Sequence, residues 1–201
     1  MIYLIRHGQT EFNREDRVQG RLDSPLTELG VAQARSIGAR LKAIKAEAGG
    51  DWRVDTSPLG RARQTAAILA EIASLPEPRI DERLVEVDYG ELEGLTRAEV
   101  DVRYPQFVGV SGVFGQAPGG ETLEALLARI GGWLAEAREE TGHIVAVAHV
   151  GVIRALRGLH LGLDAAAMRA LDKPQDVIFR LSDGAIDRFE CAPPPTQAVG
   201  A

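Results

Sequence analysis

The chain has 201 residues, is 45% hydrophobic and carries a formal net charge of −6, which allows one domain with a full core and argues against a nucleic-acid or anionic-membrane surface. Its one cysteine, Cys191, excludes an internal disulfide and a thiolate metal cluster. Met1 runs straight into a short apolar stretch, too short for a signal peptide, and no stretch approaches the roughly 20 apolar residues of a membrane span, so a cytoplasmic protein is expected.

The apolar run at the start predicts a strand over Ile2–Arg6, followed by a polar loop over residues 8–25. A helix is expected over 27–47, with Thr27 as N-cap, Ile37, Leu41 and Ile44 on one face, and Gly49-Gly50 as its stop. Residues 53–56 read as a strand, 60–74 as a helix, and 79–84, after Pro76 and Pro78, as a third strand. A short helix over 96–104 precedes an aperiodic, Gly- and Val-rich stretch at 107–120, and 96–120 together read as a lid or insertion. A helix over 122–140 carries the stripe Leu123, Leu126, Leu127, Ile130, Trp133 and Leu134. His143–Ala148 is the most apolar strand and is expected at the sheet centre. A helix then runs to about residue 160, and 177–181 with Ala185–Glu190 form a hairpin around Ser182-Asp183-Gly184. The Pro- and Ala-rich end, 192–201, reads as a disordered tail. The alternation of strand and helix predicts an α/β fold with a largely parallel sheet, one domain over 1–191.

Each of the first four strands leads into a loop that holds a residue type suited to chemistry. The first gives Arg6 and His7 in Arg6-His7-Gly8-Gln9-Thr10, where Gly8 is expected to turn the backbone sharply and let it approach a ligand. The second leads to Arg61 in Ser57-Pro58-Leu59-Gly60-Arg61-Ala62-Arg63-Gln64-Thr65-Ala66. The third leads to Glu86 in Glu86-Val87-Asp88-Tyr89-Gly90, and the fourth to His149 in His149-Val150-Gly151-Val152-Ile153-Arg154. Ligands of open α/β sheets bind outside the carboxyl ends of the strands. Parallel pairing would therefore gather two histidines, two arginines and a carboxylate around one pocket. Taken singly, each has a plainer reading. Arg61 could be a surface charge, Glu86 part of a solvated acidic face with Glu82, Asp88, Glu91 and Glu93, His149 a core histidine, and Asn13 a turn residue.

In this order, Arg-His-Gly-x-Thr, Ser-Pro-Leu-x-Arg-Ala-x-x-Thr-Ala and His-x-Gly-x-Ile-Arg resemble the histidine phosphatase superfamily, also called the phosphoglycerate mutase-like family. The resemblance runs from residue 2 to about 190. It implies a three-layer α/β/α sandwich with a mixed, mostly parallel sheet of about six strands, a phosphohistidine intermediate and no metal. It implies His7 as nucleophile, Glu86 as general acid and then base, Arg6 and Arg61 as phosphate clamps, and His149 as a further donor. Asn13 is implied as a neutral phosphate donor, with Thr10 and Gln19 in similar or supporting roles. These residue types suit the chemistry. Neutral imidazole is a good nucleophile near pH 7, and arginine grips phosphate oxygens bidentately while staying charged.

Within the family, a metal-independent phosphomonoester hydrolase, an acid-type phosphatase, is favoured over a phosphoglycerate mutase. Residues 107–120 hold no Lys or Arg, and the tail after Cys191 is uncharged apart from its terminus. The run Pro118-Gly119-Gly120-Glu121-Thr122 resembles family phosphatases. Arg97 and Arg103 could still supply a carboxylate site, so the mutase stays as the alternative, and only then would 2,3-bisphosphoglycerate be needed, as primer. No other cofactor is expected. The expected partner is a small phosphorylated substrate, with no nucleic acid and no membrane; a homodimer is an open alternative. Gln9 stands where many members have Glu, and Val150 where Gly is common, so Val150 should add two methyls to the wall beside His149.

Overall fold

The structure, a computed structural model, describes residues 1–110 and 113–192. The elements in chain order are β1 (Ile2–Arg6), α1 (Glu11–Arg14), α2 (Glu28–Ala48), β2 (Trp52–Thr56), α3 (Gly60–Ala73), β3 (Arg79–Ile80), α4 (Arg97–Arg103), α5 (Leu123–Glu139), β4 (His143–Ala148), α6 (Val150–Leu161), α7 (Ala165–Ala170), β5 (Val177–Ser182) and β6 (Ala185–Glu190). The strands form one sheet in the order β3-β2-β4-β1-β5-β6. The first four strands pair in parallel, and β5 and β6 run antiparallel. β4 and β1 are central, as the apolarity of β4 predicts.

Strand side chains alternate between faces, and here each face has its own core. Tyr3, Ile5, Val54, Val145 and Val147 pack with Ile37, Leu41 and Ile44 of α2 and Leu69 of α3. Ile2, Leu4, Ile144, Ala146 and Ala148 pack on the other side with Leu126, Ile130 and Trp133 of α5 and Val152 and Leu156 of α6. The result is three layers, helix on sheet on helix. Thr27, Thr96 and Thr122 cap α2, α4 and α5, each accepting from the amide three residues on. Among the described residues, no helix is long and apolar enough to cross a membrane.

Two expectations need correcting. The strand expected over 79–84 stops at Ile80, because the Asp81 side chain accepts from Arg83 N and starts a 3-10 turn over Glu82–Leu84. The polar loop expected over 8–25 contains α1, closed by a capping box between Thr10 and Asn13. Within the 96–120 segment, Val113 and Phe114 are buried, and Phe114 O accepts from Arg169 Nε at 3.1 Å. Among the described residues of its aperiodic part, Gly109, Val110 and Val113 reach the cavity described below. α7, capped by Asp164, has no counterpart among the expected elements. The tail expected at 192–201 lies, from residue 193 on, outside the described residues.

Candidate active site

The register of the central strands sets the site. Arg6 lies opposite Ala148, and His7 N donates to Ala148 O at 3.0 Å. The next residue after β4 is His149, and the two imidazole centroids stand 5.1 Å apart. β2 extends the row: Thr56 lies opposite Val147, and Ser57 N donates to Val147 O at 3.0 Å. Three neighbouring parallel strands thus deliver His7, His149 and Ser57 side by side at the carboxyl edge, where such sheets bind ligands.

A cavity of about 620 Å³ opens at this edge, lined by Arg6, His7, Asn13, Gln19, Arg61 and Glu86 among others. Its wall carries six cationic side chains (Arg6, Arg17, Arg61, Arg97, Arg154 and Lys173) against two acidic ones, Asp16 and Glu86. A chain of net charge −6 has therefore concentrated positive potential at one concavity, which draws anions.

His7 is buried, and its Nδ1 lies 2.8 Å from Gly8 O. A carbonyl only accepts, so Nδ1 carries the proton and Nε2 keeps its lone pair. Burial, then the charges of Arg61 and Arg6, hold the imidazole well below its usual pKa. It is a bare base at neutral pH. A Cβ at Gly8 would lie 2.2 Å from Gly30 O, so this glycine lets the chain approach the backbone at the start of α2.

Arg61 sits in the first turn of α3, whose N-cap Leu59 offers no side-chain acceptor. Asp23 supplies one from another loop, accepting from Gly60 N at 2.6 Å and from Arg61 Nη1 at 3.1 Å. Arg61 also donates to Leu22 O and Gly20 O, both at 2.7 Å. Arg6 Nη1 donates to Lys173 O at 2.6 Å, and burial lowers Arg6 to about 10, still a cation at neutral pH. The Nε atoms of Arg6 and Arg61 and Nδ1 of His149 are buried without a hydrogen-bond partner among the described residues.

Glu86 is 4% exposed. Its Oε1 accepts from Val87 N at 2.9 Å and its Oε2 from Gly151 N at 3.3 Å. Burial outweighs these bonds and the nearby arginines and raises its pKa above the ordinary carboxylate value. Val150 lines the cavity in ordinary helical backbone, as its side chain requires.

Asn13 lines the cavity with Oδ1 occupied by Thr10 N and by Gln175 Nε2, which leaves its NH₂ as the open donor. Gln19 lines it too, with Nε2 2.5 Å from Thr10 Oγ1. Thr10 itself is fully buried and off the wall. Its hydroxyl caps α1 and meets Gln19 Nε2, a supporting place behind the wall. Sequence reasoning missed Ser57, whose Oγ lies 2.7 Å from His149 Nε2, although it opens a quoted motif. It also missed Gln175, which donates to His7 O at 3.2 Å and has no pattern around it to mark it.

The histidine phosphatase superfamily (branch 1) pattern matches residues 2–182. A probable phosphoglycerate mutase, GpmB, of Salmonella paratyphi C is 36% identical over 177 residues, covering 85% of this chain and 79% of that one. The structure of a mycobacterial glucosyl-3-phosphoglycerate phosphatase is 31% identical, covers 89% of this chain and 92% of its own, and superposes with a TM-score of 0.74. A protein of Thermus thermophilus, TTHB049, is 35% identical, with coverage of 89% of this chain and 91% of its own and a TM-score of 0.62. From its strand-end motifs to its sheet, the chain belongs to the histidine phosphatase superfamily.

Proposed function

We propose that the chain hydrolyses phosphomonoesters of a small substrate through a phosphohistidine on His7, without a metal. The observation that carries this is the hydrogen bond from His7 Nδ1 to Gly8 O, which leaves Nε2 bare beside a cationic cavity that also holds the buried Glu86. His7 Nε2 attacks phosphorus, the ester P–O bond breaks, and Glu86 gives its proton to the leaving oxygen. Water then attacks the phosphohistidine and returns a proton to Glu86. The N–P bond breaks, and inorganic phosphate leaves. Arg6, Arg61 and the Asn13 amide hold the equatorial oxygens, fixed donors placed where charge is spread. His149 is fully buried behind the cavity wall with one ring nitrogen on Ser57, and its Nδ1 is the nitrogen left to donate toward the transferring group.

A second reading, phosphoglycerate mutase primed by 2,3-bisphosphoglycerate, draws on the relative GpmB. One observation weighs against it: Arg103 is exposed and off the cavity wall, which leaves Arg97 as the one of the two arginines on it.

The deciding experiment is phosphate release from a panel of phosphomonoesters, 3-phosphoglycerate included, with EDTA present and His7→Ala as control. EDTA-resistant release that disappears in His7→Ala is expected. Interconversion of 3- and 2-phosphoglycerate without release would establish the mutase instead.

A further inference from the structure

Arg129 is on α5, one turn from Leu126 and Trp133, and it does not line the cavity. Its guanidinium nevertheless holds the loop that carries Glu86. Nη1 donates to Arg83 O at 2.6 Å and to Val85 O at 2.8 Å. Nε and Nη2 grip the Glu121 carboxylate at 2.6 and 2.8 Å. Glu121 N in turn donates to Asp88 O at 2.9 Å. One side chain thus anchors the chain just before Glu86 and, through Glu121, just after it. The pair is largely shielded, with side chains 17% and 8% exposed, and a bidentate fork of this kind is geometrically specific.

The loop needs such an anchor. β3 ends at Ile80, so no strand ladder reaches Glu86, and residues 85–89 lie between two 3-10 turns. Among the described residues the carboxyl group itself accepts from the amides of Val87 and Gly151. Where the loop sits decides both how dry Glu86 is and how far it stands from a leaving oxygen.

We propose that Arg129, together with Glu121, is the positioning residue for Glu86, clamping the 83–88 loop so that the carboxyl stays buried and aimed into the cavity. The catalytic consequence rests on the hydrolase reading above. A general acid matters most for a poor leaving group and least for a good one. Loss of positioning therefore separates an alkyl ester from an aryl ester, whereas a general loosening of the fold slows both.

The test compares 2-glycerophosphate with p-nitrophenyl phosphate in wild type, R129M, R129K, E86Q and E86Q/R129K, and follows the Glu86 carboxyl by carbon-13 NMR titration. R129K keeps size and charge but cannot span four acceptors, and it serves if R129M does not fold. In the Arg129 variants kcat/KM for the alkyl ester should fall about tenfold or more, with the aryl ester near wild type. E86Q/R129K should be no slower on the alkyl ester than E86Q alone. The Glu86 titration should move down, toward the ordinary carboxylate range, as water reaches it. Equal losses on both esters, or an unmoved Glu86 titration, would overturn the proposal. If wild type releases phosphate from neither ester, the hydrolase reading fails, while the titration still decides whether Arg129 positions Glu86.

Discussion

Gly151 and Glu86 are fitted to each other at the mouth of α6. Gly151 N donates to Glu86 Oε2 at 3.3 Å, and a Cβ at position 151 would stand 2.8 Å from Glu86 Oε1 and 2.6 Å from Val87 Cγ2. The glycine that follows His149 by two residues is thus a spacing requirement of the Glu86 carboxyl. Gly151→Ala should push the 86–87 segment away, at a cost of about 1–3 kcal/mol. Hydrolysis of alkyl esters should fall more than that of aryl esters. Urea unfolding together with kcat/KM on the two ester types checks both parts, and an unchanged rate ratio would refute the fit.

The rate should follow two opposed titrations. The proposed mechanism uses an unprotonated His7, and burial with Arg61 and Arg6 places its pKa below 6.5. It also uses a protonated Glu86, and burial places its pKa above 4.5. The rising limb of kcat/KM against pH should therefore lie lower than for an ordinary imidazole, and the falling limb higher than for an ordinary carboxylate. E86Q should remove the falling limb and leave the rising one. A falling limb that persists in E86Q would assign it to another group.

Folding stability should sense the same groups. Below pH 6.5 the unfolded chain protonates His7 and His149 while the native one does not, so the unfolded state binds more protons and stability drops as pH falls. Glu86 acts in the opposite sense. Its raised native pKa adds stability at low pH that is lost as pH rises through that value. Urea midpoints at pH 7 and about pH 5.5 should therefore differ less in His7→Asn than in wild type. An equal difference in both proteins would remove His7 from the account.

Much of this is legible in the sequence because the signals are local. The alternation of Ile2 and Leu4 with Tyr3 and Ile5 splits them between the two cores, and a threonine stands before each of α2, α4 and α5. The strand-end rule then puts Arg6, His7, Arg61 and Glu86 on one cavity wall. What is not legible depends on contacts between distant residues. Gln175 reaches Asn13 across 162 positions, from a loop with no period. Arg129 stands in the sequence only as a charge within an apolar stripe, and the early end of β3 rests on one side-chain bond from Asp81. At Gly8 the close approach is legible and its partner is not, because Gly30 lies in a different element.

That partner is itself open to test. A Cβ at Gly8 would meet Gly30 O at 2.2 Å, and one at Gly30 would meet Gln9 O at 2.0 Å, backbone against backbone in both cases. No side chain can give way, so Gly8→Ala and Gly30→Ala should each lower stability by about 1–3 kcal/mol or more. Both should also disturb His7, whose Nδ1 bonds the Gly8 carbonyl. Gly30→Ala is the sharper test, since the carbonyl that His7 Nδ1 bonds belongs to Gly8 and not to Gly30. Full activity and full stability in that variant would show that the two segments can separate freely.

Ser57 should govern which nitrogen of His149 carries the proton. Its Oγ accepts from Leu59 N at 3.3 Å and lies 2.7 Å from His149 Nε2. If the hydroxyl donates to Nε2, the ring proton sits on Nδ1, which has no partner among the described residues and is the donor to the phosphoryl group in the proposed mechanism. Ser57→Ala removes that constraint, and Nε2 becomes the protonated site for part of the population. kcat should fall about tenfold, the order expected for weakening one transition-state donor. Ser57→Thr, which keeps the hydroxyl, should restore most of it. Nitrogen-15 NMR of the His149 ring reads the tautomer directly. A wild-type ring protonated at Nε2 would mean that Ser57 only accepts, and that His149 reaches the phosphate site without donating to it.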